Sequence, residues 1–83
     1  MWYVYALENN NKSFIYIGYT NDLNRRIIEH SDGKTQSTKA FLPLKLSAYV
    51  AVTTEQKAKR LEKYFKTGSG KTILKKRIIQ QRF

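Results

Sequence analysis

Two short runs rich in aromatic and β-branched residues open the chain, and three consecutive asparagines separate them. Trp2 to Leu7 forms the first run, and Ser13 to Tyr19 forms the second. Aromatic and β-branched residues favour strands, while asparagine tolerates the left-handed backbone of a hairpin loop. Both runs are apolar on both faces, so we predict a hairpin in a sheet that is covered on two sides. A turn centred between Asn10 and Asn11 would pair Tyr5 with Tyr16.

The residues after the hairpin predict a short helix, a third strand and two further helices, in that order. The first helix is expected from Asp22 to His30, with Thr20 or Asn21 as its N-cap. A polar loop, Ser31 to Pro43, leads to a strand from Leu44 to Thr53. Alternation in this strand puts four apolar residues on one face: Leu46, Ala48, Val50 and Val52.

The C-terminal third has the spacing of two helices. Thr54 to Lys66 is amphipathic, and three apolar residues share its inner face: Ala58, Leu61 and Phe65. Gly68 is expected to end this helix and Ser69 to cap the next. The last helix is predicted from the spacing of five residues: Ile73, Leu74, Arg77, Ile78 and Gln81.

The charge balance indicates a polyanionic partner. The 83 residues include 16 Lys and Arg but only 6 Asp and Glu, and the net charge is +10. Ten of the basic residues lie between Glu55 and Phe83. DNA or RNA fits this excess, because each neutralised phosphate releases counterions. An acidic membrane surface, an acidic protein or a simple solvated helix face would also fit the charge alone.

Several classes of function are excluded by what the sequence lacks. Without cysteine the chain cannot form disulfides, cysteine metal sites or thiol nucleophiles. No run approaches the roughly 20 apolar residues that span a bilayer, and no secretory signal is recognisable. We expect one soluble, cytoplasmic domain covering residues 1–83.

Few side chains could carry hydrolytic chemistry. Glu62 adjoins the apolar stripe of its helix in the most basic part of the chain. It is either a surface ion-pair partner or a single carboxylate that holds Mg²⁺ together with waters and a substrate phosphate. Tyrosines crowd the hairpin, where most would serve packing. A catalytic one would need a cation or metal to lower its pKa from about 10.

The order and spacing of several short motifs resemble the GIY-YIG endonuclease superfamily. The motifs near the N-terminus are Tyr3-Val4-Tyr5, Tyr16-Ile17-Gly18-Tyr19-Thr20, and Leu23-Asn24-Arg25-Arg26 with His30. Those further along are Ser37-Thr38-Lys39, Pro43-Leu44-Lys45-Leu46, and Leu61-Glu62-Lys63-Tyr64-Phe65-Lys66 with Gly68-Ser69-Gly70. The chain is most similar to the small single-domain branch, the URI-domain group, which is related to the N-terminal nuclease domain of the excision-repair endonuclease. This resemblance implies an α+β fold, with a three-stranded antiparallel sheet flanked by helices in the order β-β-α-β-α-α.

The resemblance also implies a Mg²⁺- or Mn²⁺-dependent endonuclease that acts on DNA, with a role in DNA repair. Its catalytic residues would be Tyr5, Tyr16, Arg26, His30 and Glu62, and Glu62 would hold a single metal ion. His30 would be either a proton shuttle or a hydrogen-bonded histidine at the end of its helix. Contacts to the nucleic acid are expected from Gly18, Arg25, Lys63, Lys66, Lys71 and Lys75. Arg26 is assigned over Arg25 because it lies ten residues after Tyr16.

Two other classes of function fit the same sequence. One is a non-catalytic nucleic-acid-binding module on this fold, and the other is a structural or interaction domain. A chain of this size has little surface for sequence recognition. We therefore expect weak sequence preference, recognition of a DNA structure or damage, or a partner protein that supplies specificity. The oligomeric state is left open.

Overall fold

A computed structural model describes residues 1–11 and 13–79 of the chain. Three strands form one antiparallel sheet in the order β2-β1-β3: β1 (Trp2–Asn9), β2 (Ile15–Thr20) and β3 (Leu44–Val52). The helices are α1 (Leu23–Ser31), α2 (Glu55–Phe65) and α3 (Gly68–Ile73). A 3₁₀ turn, Lys39–Phe41, precedes β3, and a π-helical segment, Leu74–Ile79, continues α3. The predicted α+β class and element order are confirmed; the predicted helix position Gln81 lies outside the described residues.

The central strand β1 is buried on both of its faces. Val4 and Ala6 point towards the side of the sheet that the C-terminal helices cover. There they form the main core with one residue of β2 and three residues of the C-terminal helical region: Ile17, Ala58, Phe65 and Leu74. Tyr5 and Leu7 alternate with them and point towards α1. All four of these β1 residues are 2% exposed. The prediction of a sheet covered on two sides is therefore confirmed.

The hairpin register differs from the predicted one. Tyr5 pairs with Gly18, and Tyr16 pairs with Leu7, so the predicted pairing of Tyr5 with Tyr16 is wrong. In the observed register the Asn9 side chain bridges the loop, since its Oδ1 accepts from the Phe14 N–H at 3.1 Å. Since paired residues lie on the same face of a sheet, Tyr5 and Tyr16 become diagonal neighbours on the α1 face.

A β-bulge in β3 reverses the alternation of its side chains between the two faces of the sheet. Ala6 pairs with Ala48 but Leu7 pairs with Leu46, which leaves Ser47 as the extra residue. The Ser47 hydroxyl donates to the Ala6 carbonyl at 3.2 Å. The prediction that Leu46 shares a face with Ala48 is wrong, because the bulge turns Leu46 to the α1 face beside Leu7.

Helix α1 begins one residue later than predicted. Asp22 is its N-cap, since its carboxylate accepts from the Arg25 N–H at 3.1 Å. Thr20 instead accepts from the Asp22 N–H at 3.0 Å and so shapes the turn before the helix. Gly33 follows the helix with φ of 72°, a left-handed conformation that glycine adopts without strain.

The junction between α2 and α3 is capped by Thr67. Its hydroxyl accepts from the Gly70 N–H at 3.0 Å and donates to the Tyr64 carbonyl at 2.6 Å. The predictions that Gly68 ends α2 and that Ser69 caps the next helix are therefore wrong, since Gly68 already belongs to α3. Gly70 is buried against α2, and a side chain there would overlap the Tyr64 carbonyl group.

We predict that Gly70→Ala lowers the free energy of unfolding by about 2 kcal/mol or more, because its Cβ would force α3 away from α2. Urea unfolding followed by circular dichroism measures this change. Gly68→Ala is the matched control, since a Cβ at Gly68 meets nothing within 4 Å. Equal stability of the two variants would contradict the tight junction.

Candidate active site

Tyr5 and His30 meet in a buried hydrogen bond between β1 and α1. The Tyr5 Oη lies 3.0 Å from His30 Nε2, and His30 Nδ1 lies 2.8 Å from the hydroxyl of Thr38. His30 is 1% exposed and Thr38 is 0% exposed. Three side chains from different parts of the sequence thus form one continuous polar chain beneath the surface.

Tyr16 and Gly18 complete the β2 side of this cluster. The Tyr16 ring centroid lies 5.0 Å from that of His30 and 6.2 Å from that of Tyr5. A Cβ at Gly18 would lie 2.7 Å from the Tyr5 Oη and 3.0 Å from Tyr16 Cε2. Gly18 therefore provides the space in which the two tyrosines approach each other.

Arg26 brings a positive charge to the same cluster from α1. Its guanidinium donates to Glu29 at 3.1 Å and faces the Tyr5 hydroxyl closely enough to affect the pKa of that phenol. Arg25 is exposed and lies 3.8 Å from its helix cap, Asp22. The structure thus brings Arg26, and not its neighbour, to the two tyrosines.

Burial dominates the proton affinities of the cluster. It raises the pKa of Tyr5 to about 12, with a further increase from Tyr16, and Arg26 only partly opposes this. Arg26 alone therefore does not bring the pKa of Tyr5 below its ordinary value. Burial and the charge of Arg26 lower the pKa of His30, with Glu29 acting in the opposite direction. Near neutral pH, Tyr5 is therefore protonated and His30 is uncharged.

Glu62 lies on α2, which packs on the other face of the sheet. Its side chain is 21% exposed and forms an ion pair with Lys66 at 3.6 Å. Helix α2 packs against β2, the edge strand that carries Tyr16. Within residues 1–11 and 13–79, no three histidine or acidic side chains come together. A metal bound at Glu62 would therefore depend on ligands from water and substrate.

The expected nucleic-acid contacts at the C-terminal helices are on the surface. Four lysines there are exposed: Lys63, Lys66, Lys71 and Lys75. Such side chains can contact a phosphate backbone without rearrangement of the core. Within the described part of the chain, no helix is long and apolar enough to cross a membrane.

Thr38 belongs to a motif of the family resemblance, Ser37-Thr38-Lys39, but the sequence assigned it no role in the site. It lies eight residues beyond His30, across a loop without regular periodicity. No spacing rule connects a histidine at a helix end to a threonine in the following loop. Only the side-chain hydrogen bond of 2.8 Å reveals the connection.

Comparisons with known proteins agree with this fold and indicate the family of the chain. A family profile described as the GIY-YIG catalytic domain matches residues 1–77. A UPF0213 protein of Bacillus licheniformis is 38% identical over 81 residues, which cover 96% of this chain and 80% of that relative. The UPF0213 protein YsiG of Lactococcus lactis is 32% identical, with 99% and 83% covered. The solution NMR structure of a UPF0213 protein from Bacillus halodurans is similar with a TM-score of 0.53 and 37% identity, and 89% and 82% of the two chains are covered.

We predict that the free energy of unfolding decreases as the pH falls below about 6.5. The folded site resists protonation of His30, whereas the unfolded chain takes up that proton at its ordinary pKa. This contribution is therefore present above the ordinary pKa and is lost as the pH falls towards the lowered one. Urea titrations between about pH 7 and about pH 5.5 measure the slope.

His30→Asn is the control, because His30 is the only histidine in the chain. The variant is expected to be less stable overall but to show a flatter dependence on pH across this interval. A slope equal to that of the wild type would assign the effect to other groups.

Proposed function

Because the chain belongs to the GIY-YIG family, a family of nucleases with nucleic-acid substrates, we propose that it is a metal-dependent endonuclease that hydrolyses phosphodiester bonds in DNA. The observation that carries this proposal is the convergence of two tyrosines, Arg26 and His30 on the α1 face of the sheet. These groups supply hydroxyls, a permanent positive charge and a neutral imidazole, which can serve proton transfer and charge stabilisation in phosphodiester hydrolysis.

In this proposal Arg26 stabilises the charge that develops on the phosphate. Burial alone would lower its pKa, but the hydrogen bond to Glu29 and the nearby Tyr5 outweigh burial and raise it. The side chain therefore stays charged throughout any accessible pH range. Its planar donor groups match two phosphate oxygens, which the point charge of a lysine cannot do.

One of the two tyrosines orients and deprotonates the attacking water. Tyr5 is a weak base by itself because it is protonated at neutral pH. His30 is placed to take this proton as the water is attacked, since its neutral Nε2 lies 3.0 Å from the Tyr5 Oη. Tyr16 is less buried than Tyr5 and packs on the same imidazole, so it gives the cluster a face towards solvent.

Glu62 is the residue that would hold the metal ion. Its carboxylate is partly exposed, and its ion-pair partner Lys66 is half-exposed, so water and phosphate can reach it. A single carboxylate with waters and substrate phosphates is a common mode of Mg²⁺ binding. When bound, Mg²⁺ or Mn²⁺ would polarise the phosphate and stabilise the leaving oxygen.

The lysines of α2 and α3 are proposed to hold the DNA backbone. A contact set of this kind is independent of sequence and weakens strongly with salt. Exposed Arg25 is proposed to add a phosphate contact beside the catalytic group. Sequence or structure specificity would then come from the shape of the DNA or from a partner protein, and repair is one context in which such a nuclease would act.

We predict that Arg26→Lys lowers the cleavage rate by about 100-fold or more, because the two-pronged contact with the developing phosphate charge is lost. Arg25→Lys, the adjacent control, should change the rate only a few-fold. The assay uses supercoiled plasmid, single-stranded DNA and branched DNA at low salt with Mg²⁺ or Mn²⁺. The reverse order of the two effects would show that the wrong arginine has been assigned.

We predict that Glu62→Gln abolishes metal-dependent cleavage, since an uncharged amide binds Mg²⁺ far more weakly than a carboxylate. Glu55→Gln on the same helix is the control and should cut at close to the wild-type rate. Binding to labelled DNA in EDTA should persist in both variants. Cleavage by Glu62→Gln at the wild-type rate would refute the metal assignment, and salt-sensitive binding without any turnover by the wild type would favour the non-catalytic binding module.

A further inference from the structure

Thr38 contributes a buried hydroxyl to a histidine that already has a partner on its other nitrogen. The hydroxyl lies 2.8 Å from His30 Nδ1, and it also donates to the Thr35 carbonyl at 3.4 Å. A threonine hydroxyl has one hydrogen and two lone pairs. If that hydrogen points to the Thr35 carbonyl, the oxygen is left as an acceptor for a proton on Nδ1.

The contacts of the other ring nitrogen, His30 Nε2, also favour a proton on Nδ1. The Tyr5 oxygen faces the guanidinium of Arg26, which is a donor only. The phenolic hydrogen is then directed to the remaining neighbour, His30 Nε2, at 3.0 Å. A phenol is also a far stronger acid than an aliphatic alcohol, so the imidazole lone pair pairs best with Tyr5 and its N–H with Thr38.

We propose that Thr38 is a positioning residue that holds neutral His30 in the tautomer with its proton on Nδ1, so that Nε2 presents a lone pair to the Tyr5 hydroxyl. The catalytic meaning of this arrangement rests on the proposed nuclease function. A proton can then pass from the Tyr5 Oη to His30 Nε2 while the phenolic oxygen takes one proton from the attacking water, whose oxygen bonds to phosphorus as the bond from phosphorus to the leaving oxygen breaks. The leaving oxygen takes a proton from solvent, and His30 afterwards releases its extra proton to solvent and returns to the neutral form. The opposite tautomer would place a hydrogen on Nε2 and block this transfer.

The surroundings of His30 make its tautomer decisive. Four ionisable groups face the ring: Tyr5 of β1, Tyr16 of β2, and Arg26 and Glu29 of α1. Burial and Arg26 disfavour the doubly protonated ring, which would have no tautomer to select. A neutral imidazole has two tautomers, and the hydrogen bond on one nitrogen fixes the role of the other.

The test is nitrogen NMR of the imidazole, which is unambiguous because the chain contains one histidine. Long-range proton–nitrogen correlation spectra of ¹⁵N-labelled protein near neutral pH distinguish a protonated nitrogen from a bare one. We expect the wild type to carry its proton on Nδ1. Thr38→Val, which keeps the shape but removes the acceptor, should populate the tautomer with the proton on Nε2.

Two further variants separate the tautomer from simple loss of packing. Thr38→Ser keeps the hydroxyl and should keep the proton on Nδ1. Thr35→Val is the matched control: within the described residues the Thr35 Oγ1 is buried without a hydrogen-bond partner, and the carbonyl that Thr38 uses belongs to the backbone. The spectrum of Thr35→Val should match that of the wild type.

Cleavage kinetics add a second readout. Thr38→Val should lower kcat by about 10- to 100-fold, the usual cost of removing a group that orients a functional histidine, with little change in KM. Thr38→Ser should restore most of the rate. A wild-type ring with its proton on Nε2, or a Thr38→Val ring that keeps it on Nδ1, would overturn the proposal. If the wild type cuts no substrate, the proposed function fails, while the spectra still decide the role of Thr38.

Discussion

The burial of one central strand on both faces is the constraint on which the remaining structure depends. Val4 and Ala6 of β1 pack in the apolar core with the C-terminal helices, while Tyr5 and Leu7 are buried on the opposite side, which α1 covers. A phenol buried in this way keeps its proton and needs a partner for its hydroxyl. His30 is that partner, and its own second nitrogen in turn requires Thr38. The polar chain is thus a consequence of covering both sides of a three-stranded sheet.

Much of this arrangement could be predicted from local patterns. The element types follow from apolar periodicity, and the order and spacing of the motifs were enough to indicate the family. The structure confirms the fold class and brings together Tyr5, Tyr16, Arg26 and His30, all of which the sequence singled out. These four were accessible because they lie on a hairpin and on the helix that directly follows it, where short spacing fixes relative position.

The features that were not predicted depend on contacts between residues that are distant in the sequence or lie across a loop. The observed hairpin register includes a hydrogen bond from the Phe14 N–H to the Asn9 side chain, and the bulge at Ser47 arises where β3 pairs with β1, which is distant in the sequence. Neither alters the local apolar pattern enough to be visible in the sequence. The sign of the Tyr5 pKa shift also depends on tertiary burial, which outweighs the neighbouring arginine.

The bulge in β3 has a bearing on how this fold can change length. Side chains on a strand alternate, so removing one residue from β1 would exchange its two faces and send Tyr5 into the core and Ala6 towards His30. The extra residue at Ser47 lies in the edge strand β3, where only the β3 residues that precede it change to the other face of the sheet. Insertions and deletions should therefore accumulate in β3 and in the hairpin loop, while the length of β1 stays fixed. The edge strand β3 can thus tolerate changes in length that the central strand β1 cannot.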